Sequence, residues 1–298
     1  MPTVTGTTNP ELFPAFYDKK LLSYVKANLV TLQFAQRRSL KKNSGRQITF
    51  TRFEPLPANT TPITFQPTPS TGKAIATQQI TATVDEYGDY IDLDEFTDIT
   101  SYVPLLSETT DLLAYQARLT LDTLCMNEIA NGTNVLYAGG KASADALLST
   151  DVLTKDDIRK AVNILKNANI PPMPDGFYVC LIHPDKLDNL FTSSELIQLS
   201  VASKDSFEKG VVARFGGVKF IDTTLMPTFI NAAATPITVY KTVIFGQNAY
   251  GIVDIDGQSV TMTYTNLDKL NRVKTVGWKA YFVAKRLYED ALIRIESA

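Results

Sequence analysis

Residues 55–72 read PLPANTTPITFQPTPSTG, a stretch with five prolines and no charged side chain. Proline cannot donate to a strand ladder, so such a stretch is extended and poorly paired. Strand-like runs flank it. RQITFTRF (46–53) alternates apolar and polar residues, and ATQQITATVDEYGDYIDLDEF (76–96) is rich in Thr and β-branched residues. Long excursions without regular structure are uncommon inside compact domains, and are either functional or disordered where they occur. The lack of charge argues against solvated disorder. Residues 46–90 therefore read as a long two-stranded flap with a Pro-rich tip. A lone hairpin is marginal in water, so this flap needs a surface to lie on, such as one on another chain.

The rest of the chain supplies a core large enough to carry such an excursion. At 298 residues, 44% hydrophobic and 20% charged, it holds one large or two ordinary globular domains. A net charge of -2 gives no global argument for nucleic acid or membrane binding. The apolar runs fall far short of a membrane span, and the N-terminus lacks the basic-then-apolar layout of a signal peptide. Cys125 and Cys180 sit in apolar settings and offer no disulfide framework, which fits a reducing, cytoplasmic compartment.

Residues 11–42 read as a helical arm: Pro14 suits a helix start, and Leu22, Val25, Leu29 and Leu32 recur at spacings of three and four. From Lys19 to Arg46 there are eight basic residues, including Arg37, Arg38, Lys41 and Lys42, and no acid. Residues 85–98, DEYGDYIDLDEFTD, hold seven acids and no base. Each run reads plainly as a solvated face; the sharper reading docks the basic arm on an acidic neighbour. A long helix is predicted from Pro104 to Ile129, stopped by Asn131-Gly132, with Leu106, Leu113, Ala117, Leu121 and Leu124 on one side. At 1.5 Å per residue it would be about 40 Å long, enough to serve as a spine.

From Thr150 the texture is mixed α/β. An amphipathic helix over 154–168 has Thr154 as N-cap and ends at Ile170-Pro171-Pro172. A buried strand (176–183), a helix with Pro184 in its first turn, a turn and strand (215–223) and two strands around a small-residue break (242–257) follow. The chain is β-rich from Ser259. In its closing segment Trp278, Ala280, Phe282 and Ala284 share one strand face, and Tyr288-Glu289-Asp290 turns into a second strand, ALIRIES. A final hairpin packed on the spine helix is expected.

Chemistry is thinly represented. His183 is the one histidine, and at a strand-to-helix junction before a proline it reads as a cap or turn residue rather than a catalyst. PSTGKA (69–74) misses a phosphate loop at both Pro67 and Ala74. Asp92 and Asp94 would share an outward strand face, and DIDG (254–257) lacks the remaining calcium ligands. No GxSxG elbow is present. No catalytic residue, metal or cofactor is expected, and the chain is not read as an enzyme.

Its distinctive features are architectural, and their order carries a resemblance. The segments are GRQITFTRFEPL (45–56), YGDYIDLDE (87–95), NVLYAGG (134–140), DIRKAVNILKNANIPP (157–172), GFYVCLIHPD (176–185), RFGGVKFIDTT (214–224), VIFGQNAYGIVDI (243–255) and GWKAYFVAKRLYEDALIRIES (277–297). In this order they resemble the tailed-phage major capsid protein fold of the Hong Kong 97 type, and more closely the N4-like major capsid protein family. They cover most of the chain from residue 45; the first 44 residues match only as a generic helical arm.

The resemblance implies an α+β capsid fold with an N-terminal arm (1–44) and an extended β loop (45–90) lying over an adjacent subunit. It further implies a peripheral domain (91–145 and 259–298) with the spine helix and a β-sheet, and an α/β axial domain (146–258). Such chains assemble in the bacterial host cytoplasm into hexamers and pentamers of a virion capsid. The shell encloses double-stranded DNA without sequence-specific binding, and a weakly negative chain suits a container that does not grip its contents. Portal and scaffolding proteins are implied partners, decoration proteins are left open, and no membrane is involved. Intersubunit contacts are expected from Arg37, Arg38, Lys41 and Lys42 of the arm, Pro57, Phe65 and Lys73 of the loop, and Asp89, Asp92 and Asp94 of the acidic run. Members often lose an N-terminal scaffolding segment; with the arm starting almost at Met1, none is expected here. Some weld subunits through a Lys–Asn isopeptide bond, for which Lys73 alone is insufficient ground. Two rival readings are an encapsulin-like compartment with protein cargo, and an α/β enzyme with a site near His183 or near Asp92 and Asp94.

Overall fold

The computed structural model describes residues 31–60, 73–101, 105–191, 213–255, 260–266, 270 and 272–298. Its strands are β1 (Gln36–Leu40), β2 (Gln47–Phe53), β3 (Thr77–Thr83), β4 (Asp85–Asp94), β5 (Val135–Tyr137), β6 (Tyr178–Ile182), β7 (Ala213–Phe215), β8 (Val218–Asp222), β9 (Thr228–Ile230), β10 (Thr238–Phe245), β11 (Tyr250–Ile255), β12 (Thr261–Asn266), β13 (Val273–Arg286) and β14 (Leu292–Ser297). Its helices are α1 (Glu95–Thr100), α2 (Leu105–Ala130), α3 (Lys155–Asn167) and α4 (Pro184–Phe191).

The strands form three sheets. Five strands (β1, β11, β13, β12 and β4) make the first, seven (β5, β14, β10, β6, β8, β7, with β9 on β10) the second, and β2 with β3 the third. Helix α2 is the expected spine, although Pro104 lies outside the described residues. Leu113, Ala117 and Leu121 on its buried side pack on Val276, Trp278, Ala280 and Phe282 of β13. The period-two pattern of the Trp278 face thus meets the helical stripe as the sequence predicts.

The helix ends after Ala130, at the expected Asn131-Gly132, by a different device. Gly132 has no left-handed backbone; a Cβ there would collide with the Leu292 side chain. The glycine serves close packing of the helix end against β14.

Helix α3 covers one face of the seven-stranded sheet. Ile158, Ala161, Val162 and Leu165 pack with Cys180, Ile182, Phe220, Ile244, Ile293 and Ile295. Thr154 caps it in a reciprocal box with Asp157. Its stop is chain geometry before it is proline. Asn169 is left-handed at φ 55°, and the Ile170 and Asn169 amides donate to Leu165 O and Lys166 O, both at 3.0 Å, a Schellman arrangement. Gly216 and Gly217, at φ 59° and 83°, form the two-residue turn joining β7 to β8.

Three expectations are corrected. The helical reading of 11–42 fails after Leu32. A single 3-10 turn at Thr31–Gln33 leads into β1, which pairs in parallel with β11; Leu22, Val25 and Leu29 lie outside the described residues. The open edge of β11 satisfies the backbone of QRRSL, and Leu40 is its one buried anchor. The flap's strand pair ends at Thr83, because β4 leaves it and pairs along its length with β13.

The expected closing hairpin does not form either. After a turn at Tyr288–Ala291, β14 crosses to the other sheet and runs between β5 and β10. ALIRIES is apolar at both parities. Leu292 faces Met126 and Phe245, while Ile293 and Ile295 face α3, as a central strand requires.

One buried polar pin fixes the entry of the chain. The Asp122 carboxylate of α2 accepts from the Thr31 amide at 3.2 Å and from the Thr31 hydroxyl. The Tyr250 hydroxyl donates to Thr31 O at 2.5 Å. Burial pushes the Asp122 carboxyl above its ordinary value, against the opposing pull of the Thr31 bonds and Arg118.

Two outcomes are expected. A chain ending at Arg286 loses a central strand and should show no cooperative melt by circular dichroism; a normal melt would contradict the placement of β14. A raised carboxyl pKa means that the folded state favours the protonated acid. Its contribution is therefore full at acid pH and lost as pH rises through the folded pKa. Asp122→Asn removes that loss, so denaturant titrations should show the variant gaining on the wild type as pH rises; parallel pH profiles would refute it.

Candidate functional site

The described residues offer little for catalysis. Among them no three His, Cys, Asp or Glu side chains are grouped to hold a metal ion. His183 works as a cap: its carbonyl accepts from the Lys186 and Leu187 amides at 3.0 and 3.2 Å, and its Nδ1 accepts from the Asp185 amide at 3.3 Å. Its ring sits 5.1 Å from that of Tyr240, whose hydroxyl donates to Asp185 at 3.0 Å. Cys125 and Cys180 are buried, and burial pushes both thiols far above the ordinary range, away from reactivity.

Surfaces are what stand out, and the flap comes first. Strands β2 and β3 pair antiparallel from Gln47↔Thr83 to Phe53↔Thr77. At the base, Ile48, Phe50, Ala82 and Val84 pack on Leu40, Val253, Tyr281 and Val283, one face of the five-stranded sheet. Arg46 fastens this base, donating to Val84 O at 2.9 Å and pairing with Asp85 at 2.5 Å. Farther out the apolar residues are uncovered: Phe53, Leu56 and Ile75 are 65%, 58% and 69% exposed. Pro57 and Lys73 are exposed and touch across the loop, Lys73 Nζ donating to Pro57 O at 3.5 Å. Phe65 lies outside the described residues.

The charged candidates fall on strands. Arg37 and Arg38 lie exposed on β1, with Lys41 and Lys42 exposed just beyond it; Arg37 reaches back to Leu32 O at 3.4 Å. Asp89, Asp92 and Asp94 lie exposed on β4, each with a partner in its own chain. Asp89 accepts from Gln116 at 2.6 Å and from the Tyr90 amide at 2.9 Å, bonds that hold its carboxyl below the ordinary range. Gln116 in turn accepts from the Trp278 indole at 3.1 Å. Asp92 accepts from the Thr275 hydroxyl at 2.5 Å, and Asp94 caps α1 through the Thr97 amide at 3.1 Å. Among the described residues the basic and acidic runs meet within one subunit only where Arg46 pairs with Asp85.

Sequence reasoning missed a second apolar surface. Phe96 and Ile99 are each 75% exposed on α1, a helix with no buried residue. Their three-residue spacing was the available signal, and the surrounding acids masked it.

Comparison with known proteins bears on these surfaces. A family model described as phage capsid protein matches residues 77–295. No curated protein sequence matches the chain. Among solved structures, the capsid of Ralstonia phage GP4 superposes with a TM-score of 0.76 at 16% identity, over 91% of this chain and 88% of that one. The cyanophage Pam1 capsid gives 0.67 at 12% identity, over 91% and 93%. The SrpI encapsulin from Synechococcus elongatus gives 0.61 at 9% identity, over 89% and 85%. At such identities the structures speak for the fold, while the family match spans well over half of the residues. This chain belongs to the phage capsid protein family, and its role is that of a major capsid protein.

Proposed function

We propose that the chain forms the icosahedral head shell of a tailed, double-stranded DNA phage of the Hong Kong 97 type and N4-like kind, assembling as hexamers and pentamers around the genome. The observation that carries this reading is the flap. It is anchored at its base on its own sheet, its sequence is uncharged and Pro-rich over 55–72, and Phe53, Leu56 and Ile75 are left uncovered. Apolar surface of this kind gains by docking on a neighbour.

The arm takes residues 1–44; the extended loop, expected over 45–90, takes 45–84, because β4 pairs with β13 of the body. The five-stranded sheet with α2 is the peripheral part. The seven-stranded sheet with α3, α4 and β14 is the axial part, whose loops meet around the symmetry axes. Pro57, Phe65 and Lys73 contact the subunit beneath the loop. Arg37, Arg38, Lys41, Lys42, Asp89, Asp92 and Asp94 serve contacts along the sides. Portal and scaffolding proteins are the partners during assembly in the host cytoplasm, and packaged DNA is enclosed without sequence reading. The encapsulin reading shares the fold, and protein rather than DNA inside recovered shells would favour it.

Purified protein is expected to form rings or closed shells under electron microscopy; a compact monomer in every assembly condition would overturn the reading. Protease should cut between Pro55 and Gly72 in free subunits and much less in shells. Equal cleavage in both states would remove the docking role of the flap.

A further inference from the structure

The five-stranded sheet is electrically polar from edge to edge. Across it the strands run β1, β11, β13, β4, with Phe282 of β13 opposite Asp254 of β11 on one side and Asp85 of β4 on the other. One edge carries Arg37 and Arg38, with Lys41 and Lys42 beyond; the other carries Asp85, Glu86, Asp89, Asp92 and Asp94, all of them exposed. At about 4.8 Å between strands the two edges are roughly 14 Å apart. Direct ion pairs between the two edges within one sheet are out of reach. Two β4 edges would meet with like charge, which disfavours a symmetric contact between them.

The β1 edge also borders a receptive groove. A cavity of about 620 Å³ lies between β1, the flap and the turn after β13; half its wall is apolar or aromatic, and its charged residues are Arg38 and Arg52, with no acid among the described lining residues. Arg52 is held there with its guanidinium 4.0 Å above the Tyr288 ring.

We infer that the acidic β4 edge of one copy docks along the basic groove beside β1 of the next, joining copies head to tail. The inference rests on the capsid reading and adds to it the surfaces by which neighbours meet. A contact between two different patches closes into rings when the rotation per copy divides a full turn. Charge here sets encounter and register more than affinity.

The test uses the full chain in three forms: Arg37→Glu, Arg38→Glu, Lys41→Glu and Lys42→Glu together, Glu86→Lys, Asp92→Lys and Asp94→Lys together, and all seven changes combined. Each is checked for a wild-type thermal melt, then for assembly by sedimentation and microscopy. The first variant is acidic at both edges; the second is net basic at both, three bases on β4 outweighing Asp85 and Asp89. Each alone should lose assembly by about tenfold or more, through like-charge contact. An equimolar mixture should recover even-numbered rings, and the combined variant should assemble by itself. Zero-length carbodiimide coupling of assembled wild-type protein, built from heavy and light chains, gives a readout independent of variant folding. It should join Lys41 or Lys42 of one copy to β4 carboxylates of another. Single-edge variants that assemble normally, reversals that fail to restore each other, or coupled shells without those links would overturn the contact and leave the capsid reading standing. Wild-type protein that never assembles would overturn that reading instead.

Discussion

The end of the spine helix is where the two large sheets are tied together. An α-helix leaves its last carbonyls without partners, and α2 has no basic residue in its final turn. The closing segment supplies them. Arg286 donates to Glu128 O at 2.7 Å and Arg294 to Ala130 O at 2.9 Å, while Leu292 fills the space left by Gly132. Arg286 ends the strand that covers α2 in one sheet, and Arg294 sits mid-strand in the other. One helix terminus therefore sets the relation between both sheets, and positive charge at that end also suits the helix dipole.

That joint fixes the body on which the surface features stand. The flap stands on one face of the five-stranded sheet, rooted by Arg46 and by Ile48 and Phe50. Thr31, held by Asp122 and Tyr250, fixes where the chain enters and so aligns β1 as a sheet edge. Exposed apolar residues and charged edges would be liabilities on a solitary protein. In the shell proposed for this chain such surfaces have neighbours to meet.

Much of the architecture was legible before any coordinates. The spine's stripe and the Trp278 face followed from periodicity, each a local pattern matched to one buried face; the Thr154 cap followed from residue type, and the strand before His183 from an unbroken apolar run, buried at every position. Arg37 and Arg38 were misassigned to a helix because QRRSL has no strong preference of its own, and the open edge of β11 decided its conformation. Asp89, Asp92 and Asp94 were recognised as a charged run, yet their bonds to Gln116, Thr275 and Thr97 could not be read from spacing. Phe96 and Ile99 escaped notice because an apolar pair in an acidic stretch looks like a buried one.

By itself the sequence determined most helices and strands where burial is one-sided, and that no ordinary strand continues β2 into the proline-bearing residues 55–60. Only the tertiary structure decided that β14 leaves its neighbour in sequence to become a central strand of the other sheet. The same holds for β4, which deserts the flap for an edge, and for the opposite charges that come to lie on opposite sides of one sheet. The reason is physical. Periodicity records how many faces of an element are buried, whereas the choice of partner strand depends on which open edge the rest of the chain presents.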